Sequence, residues 1–130
     1  MHPIALLQTA FVAALENDAA LVGLIGVGGV FDAPPRGRPA PYVVIERHDV
    51  RQRDGDDAPG QEHRVLLHCW AGQPSRRAAL DIAARVTAAG LNPAPDGLVV
   101  THAEHMRTET LIDSGTGLAR AAVTLRFFSE

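Results

Sequence analysis

Lysine is absent from this 130-residue chain, and all twelve basic residues are arginine. A GC-rich bacterial coding sequence is the simplest explanation. Arginine's rigid fork also suits ion pairs between subunits, so the same bias is compatible with self-association. Cysteine is nearly missing too: Cys69 alone cannot form an intrachain disulfide, a zinc ribbon or a redox pair. Positive charge is not in excess, since fifteen acidic residues outweigh the arginines to give a net charge of −3. A broad basic field for gripping nucleic acid is therefore not expected. No apolar run approaches the roughly 20 residues of a membrane-spanning helix. The longest runs are interrupted by Gln8, Glu16, Asp18 and several glycines, and no membrane partner is expected. The opening Met1-His2-Pro3-Ile4 has neither the basic region nor the cleavage site of a signal peptide, so the expected location is the cytoplasm in which the chain is made.

What is present is ordinary for a globular chain. Apolar residues make up 46%, charged residues 21%, and mean hydropathy is +0.02, which excludes disorder of the whole chain. The length suits one domain, residues 1–130. Ile4, Leu7, Phe11, Ala14 and Leu15 recur at spacings of three and four, predicting an amphipathic helix from Pro3 to Asn17 with proline in its first turn. Asp18 is a good N-cap for a short helical turn over 19–25, which Gly26, Gly28 and Gly29 end. These glycines lack the spacing and the Lys of a phosphate loop, so a turn with positive φ is their expected use. A short strand fits 27–31, and Pro34, Pro35, Pro39 and Pro41 with Gly37 predict an irregular connector.

Tyr42 to His48 and Val65 to Ala71 read as strands, with Asp49 to Glu62 between them as a charged, unstructured loop of a long hairpin. Ser75 can cap a helix to Ala89, with Leu80, Ile82, Ala83 and Val86 as its buried stripe, Asp81 four residues before Arg85, and Gly90 as the stop. Leu98 to Met106 is predicted to be a strand, followed by a turn over Asp113 to Gly117. In the last strand Ala121, Val123, Leu125 and Phe127 alternate with Arg120, Thr124 and Arg126. The predicted class is α+β: an antiparallel or mixed sheet of four to five strands with two helices packed on one face. The expected core comprises Phe11, Leu15, Val43, Ile45, Leu67, Trp70, Ile82, Val86, Val123, Leu125 and Phe127.

No constellation of residues carries a reaction. His102 and His105, or His63 and His68, point to opposite faces of a strand, so neither pair chelates one ion; His48 meets His63 or His68 only if the hairpin register allows it. Cys69 lies in an apolar strand, unsuited to a reactive thiolate. Ser75 is in a cap position, and neither Ser114 nor Ser129 has the surroundings of a nucleophile elbow. Asp54-Gly55-Asp56-Asp57 does not reproduce a calcium loop. No catalytic residue, metal or cofactor is expected.

The order of segments is another matter. The N-terminal helix through Leu15, Gly29-Val30-Phe31-Asp32-Ala33-Pro34-Pro35, Pro41-Tyr42-Val43-Val44-Ile45, Glu62-His63 with Val65 to Trp70, the alanine-rich helix after Ser75 and the final Arg120 to Phe127 strand follow one another with characteristic spacing. In this the chain resembles the tail-completion or tail-terminator proteins of long-tailed phages and gene transfer agents. The resemblance implies a non-enzymatic virion subunit that forms a ring with copies of itself, generally a hexamer, in the neck of the particle. It implies assembly in the host cytoplasm and contacts with the major tail tube protein, a head-completion or connector protein and the tape-measure protein, with DNA only as cargo. Interface or channel residues are then expected in the hairpin: Arg51, Arg53, Asp54, Asp56, Asp57 and Glu62. The alternatives are a head-side connector of the neck and, from another class, a small histidine-based metal-dependent enzyme.

Overall fold

The first helix, α1 (Pro3–Glu16), starts where His2 Nδ1 accepts the Ile4 N–H at 3.1 Å and proline fills the first turn. Its stripe of Leu7, Phe11 and Leu15 is buried, and the chain then turns into α2 (Ala19–Ile25), the short helical segment expected over 19–25 and here a third helix beside the two long ones, capped by Asp18 through the Leu21 N–H. Gly26 and Gly28 take the positive φ values of 84° and 67° that end it. Arg38 closes this turn from the connector, donating to the carbonyls of Ile25, Val27 and Gly28 at 2.9, 3.1 and 3.1 Å. The computed structural model describes residues 1–53 and 60–130.

Five strands form a mixed sheet in the order β1-β2-β3-β5-β4: β1 (Val30–Phe31), β2 (Tyr42–Gln52), β3 (Gln61–Trp70), β4 (Val100–Ile112) and β5 (Ala119–Ser129). Only β1 pairs in parallel, with Val43 and Val44 of β2; the other pairings are antiparallel. The remaining helix, α3 (Arg76–Gly90), follows β3 and is capped by Ser75 Oγ. All three helices lie on one face, against Val43, Ile45, Val65, Leu67, Val123, Leu125 and Phe127. Phe11 meets Phe127 edge to face, ring centres 6.0 Å apart, at the middle of this core. No single helix among the described residues is long and apolar enough to cross a membrane.

Several sequence expectations are corrected. Trp70 is not in the helix-covered core: Leu67 and Cys69 face the helices, so Trp70 faces the other way and is only partly buried, opposite Tyr42 and Arg120. The stretch 49–62 is not one loop. Residues 49–52 belong to β2 and 61–62 to β3, because Asp49, Arg51 and Glu62 occupy the helix-free face while Val50 and His63 turn toward the helices. Leu80 is 41% exposed, and Ala79 takes its place in the buried stripe of α3. Arg85 pairs not with Asp81 but with Asp18, through two hydrogen bonds of 2.8 and 3.1 Å, and Asp81 is left to Arg77. Gly90 does not stop its helix by positive φ; it is the last helical residue, and a Cβ there would lie 2.6 Å from the Phe11 ring. The strand expected from Leu98 to Met106 runs over Val100–Ile112 instead, with its alternation interrupted between His105 and Arg107.

Candidate functional site

An enzymatic role would rest on the histidines. His48 and His63 do meet, diagonally across β2 and β3, with His48 Nε2 2.9 Å from His63 Nδ1 and His63 Nε2 3.2 Å from Ser129 Oγ. Burial pushes the His48 pKa down to about 4, helped by the neighbouring His63, and burial likewise lowers that of His63. Both rings are neutral near pH 7 and are used in hydrogen bonds. His63 and Ser129 are buried, out of reach of any substrate, so this chain of bonds is a polar tie inside the core. His68 lies on the helix-free face 3.5 Å from Glu46, and His102 and His105 part to opposite faces. No group of three metal-ligating side chains occurs among the described residues. Cys69 is fully buried, and desolvation pushes its thiol up to about 12.

The helix-free face of the sheet is built differently. It gathers Arg47, Arg51, Arg53, Arg64, Arg107, Arg120 and Arg126, more than half of the chain's twelve basic residues, although the sequence as a whole is acidic. Glu62 sits among four of them, with oxygens 3.1 Å from Arg53, 3.5 Å from Arg126, 3.8 Å from Arg64 and 4.0 Å from Arg51. These guanidinium groups leave Glu62 only 2% exposed while remaining partly solvated themselves. Arg53 and Arg126 also lie over the Phe128 ring, at 5.4 and 5.2 Å from its centre. Arg126 then reaches Glu104 on β4, whose pKa is held down chiefly by that hydrogen bond and next by His102. A cross-strand charge lattice thus runs from the hairpin to the far edge of the sheet.

Of the six hairpin residues expected at an interface or channel, Arg51, Arg53 and Glu62 are brought together in this lattice. Asp54, Asp56 and Asp57 lie outside the described residues. The sequence reading missed Arg64 and Arg126, although their places two residues from Glu62 and from Phe128 put them on the same faces as those residues. It also missed Glu104, which only the pairing of β4 with β5 brings in.

The sheet ends in two edges. Beyond β4 no further strand pairs among the described residues, and beyond β2 the two residues of β1 cover only Val43 and Val44. Beside the β1 edge, an open groove of about 690 Å³ lined by Ile4, Val12, Val30 and Phe31 separates α1 from the strand. A second, of about 440 Å³, lies between α3 and β4, lined by Leu80, Ala84, Ala88 and Thr108. Polar residues line them as well, His2, Gln8, Thr9 and Asp32 in the first and Thr87 and His105 in the second, and both are open at the surface rather than enclosed.

These features can be set beside known proteins. The family described as tail completion protein gp17 matches residues 9–130. A chain from the virion of a native gene transfer agent particle shares the fold with a TM-score of 0.85 at 24% identity, over 100% of this chain and 99% of that one. The gp17 protein of bacteriophage SPP1 superposes with a TM-score of 0.60 at 21% identity, covering 95% of this chain and 88% of its own. No curated protein sequence matches. The matching family is one of virion structural proteins rather than enzymes.

Proposed function

The chain belongs to the tail completion protein family, structural components of the tail and neck of phage-like particles, and from that premise we propose that it is the subunit of a ring that terminates the tail tube and joins it to the head. The observation that carries the ring is the sheet with two open edges in a chain without a convergent reaction site among its described residues. An unpaired edge invites indiscriminate strand addition, and a closed head-to-tail ring pairs one edge of each copy with the opposite edge of the next. Six copies of a single domain would make the ring, each end of which meets a different partner: the major tail tube protein, with the tape-measure protein inside it, on one side, and the head-completion protein on the other. DNA passes through as cargo, and assembly takes place in the host cytoplasm before the ring is fixed in the neck.

The hairpin of β2 and β3 is the element this reading assigns to the channel or to a neighbouring subunit. Its arginines are held in fixed directions by Glu62 and Phe128, so they present a shaped cationic surface rather than free side chains. Deletion of the gene tests the function. Full heads and separate tubes of uncontrolled length are expected by electron microscopy. Joined particles with tubes of uniform length overturn the assignment, and tubes of normal length that fail to join place the protein on the head side of the neck instead.

A further inference from the structure

We infer that the ring is closed by the edge of β4 pairing antiparallel with the edge of β2 in the next copy, displaced by two residues so that Glu104, Arg107 and Glu109 face Arg51, Asp49 and Arg47. The inference rests on the ring reading above and adds to it the surface and register by which the copies meet.

Direction comes from the topology. Each neighbour in the order β2-β3-β5-β4 is antiparallel, so β2 and β4 run in opposite senses. A copy moved sideways therefore brings its β2 alongside β4 in an antiparallel ladder, with its helices on the same side of the continued sheet.

Register comes from charge. Within one sheet, Asp49, Arg64, Arg126 and Glu104 stand in a row on the helix-free face, and Arg47, Leu66, Thr124 and Arg107 form the next. Continuing these rows straight into a second copy sets Glu104 against Asp49 and Arg107 against Arg47, two like-charge pairs that directly oppose assembly. Sliding by two residues in one sense sets Arg107 against Val44, a stretch of edge already taken by β1. Sliding by two in the other sense makes all three pairs opposite in charge. In that register the ladder stops where β1 begins. Met106 is passed over as it already is by β5, which pairs with His105 and then with Arg107. The side chains involved are exposed or half-buried; Arg107 already pairs with Glu109 at 2.6 Å, Glu104 with Arg126 and Arg51 with Glu62 inside the subunit, so the neighbour's charges join existing pairs rather than meet free groups.

The competing arrangement is a two-fold pair of β4 edges, in which Arg107 of each copy meets Glu109 of the other. It would leave the β2 edge open in both copies.

Charge reversal in the full-length protein, read by native mass spectrometry over a concentration series, tests the register. Wild-type protein is expected to form rings near six times 13.8 kDa. Arg47→Glu alone and Glu109→Arg alone should each raise the concentration for half-assembly by about tenfold or more, because an attractive pair becomes repulsive at every contact. The two together should restore it. Rings that ignore the single changes, or a double variant worse than either, overturn this interface and leave the ring reading standing. Dimers insensitive to Arg47→Glu would show the β4–β4 pair, and protein that stays monomeric at every concentration would remove the ring and its interface together.

Discussion

Acid should begin to destabilise this protein in a window set by the His48–His63 pair, starting above the range in which its carboxylates titrate. His48 is held near pKa 4 in the folded chain, against 6.5 in the unfolded one. With the folded value lowered, the unfolded chain binds the proton first. The stability contributed by the neutral ring is whole above pH 6.5, falls as pH drops below that value, and is spent by about pH 4. Two and a half units at about 1.36 kcal/mol each give roughly 3.4 kcal/mol. His48 is not fully enclosed, so solvent screening reduces this to about 2 kcal/mol, and His63, shifted in the same direction, adds to it. The lowered pKa values of Asp18 and Glu104 act elsewhere: their stabilisation is present above the unfolded carboxylate range and is lost only as pH falls through still lower values. Urea denaturation at steps between pH 7.5 and 4.5 measures the slope. Wild-type protein is expected to lose about 2 kcal/mol or more over this span. His48→Gln, which cannot titrate but can still hydrogen-bond His63, should lose roughly half as much. A wild-type profile that stays flat from pH 7 to 5 would refute the reasoning, as would a His48→Gln profile parallel to wild type.

Three substitutions extend the test to other parts of the fold. Gly90→Ala gains up to about 1 kcal/mol of helix propensity but drives a methyl into the Phe11 ring, so a net loss of roughly 1–2 kcal/mol is expected in thermal or urea melts; unchanged or raised stability would show that α1 yields freely. Glu62→Gln removes the charge that four arginines share, and about 1–2 kcal/mol should be lost at low salt and less in 0.5 M salt; a salt-independent loss would mean that shape rather than charge matters. Trp70→Ala, on the helix-free face, should cost only about 1–2 kcal/mol, and a loss above 3 kcal/mol would return this residue to a buried role.

What the sequence revealed follows the range over which each signal acts. The amphipathic stripe of Leu7, Phe11 and Leu15, the Ser75 cap and the alternation of β5 are local patterns, and each appears as written. The ends of β2 and β3 were hidden because Asp49, Arg51, Glu62 and Arg64 look like loop residues. Their alternation with His48, Val50, His63 and Val65 was the overlooked sign of a sheet with one polar face. Parity alone could have turned Trp70 outward, since its neighbour Cys69 is inside. Other features had no local signal. Asp18 and Arg85 are 67 residues apart, and their pairing depends on α2 packing against α3. The charge lattice likewise exists only once β5 has been inserted between β3 and β4, bringing Arg126 to both Glu62 and Glu104.

That insertion also fixes when a subunit can be born. β5 comes last in sequence among the five described strands, yet it occupies an inner position in the sheet, and among the described residues it is the sole strand partner of β4. Until it arrives, β3 has one bare side, β4 has no ladder at all, and Phe11 lacks the aromatic ring it packs against. The β1–β2 and β2–β3 pairings need nothing from this segment, but the β3–β5 and β4–β5 ladders require residues 119–129. A polypeptide cut short before residue 119 therefore lacks the strand that joins β4 to the rest of the sheet, and its β3 and β4 edges both stay unfinished.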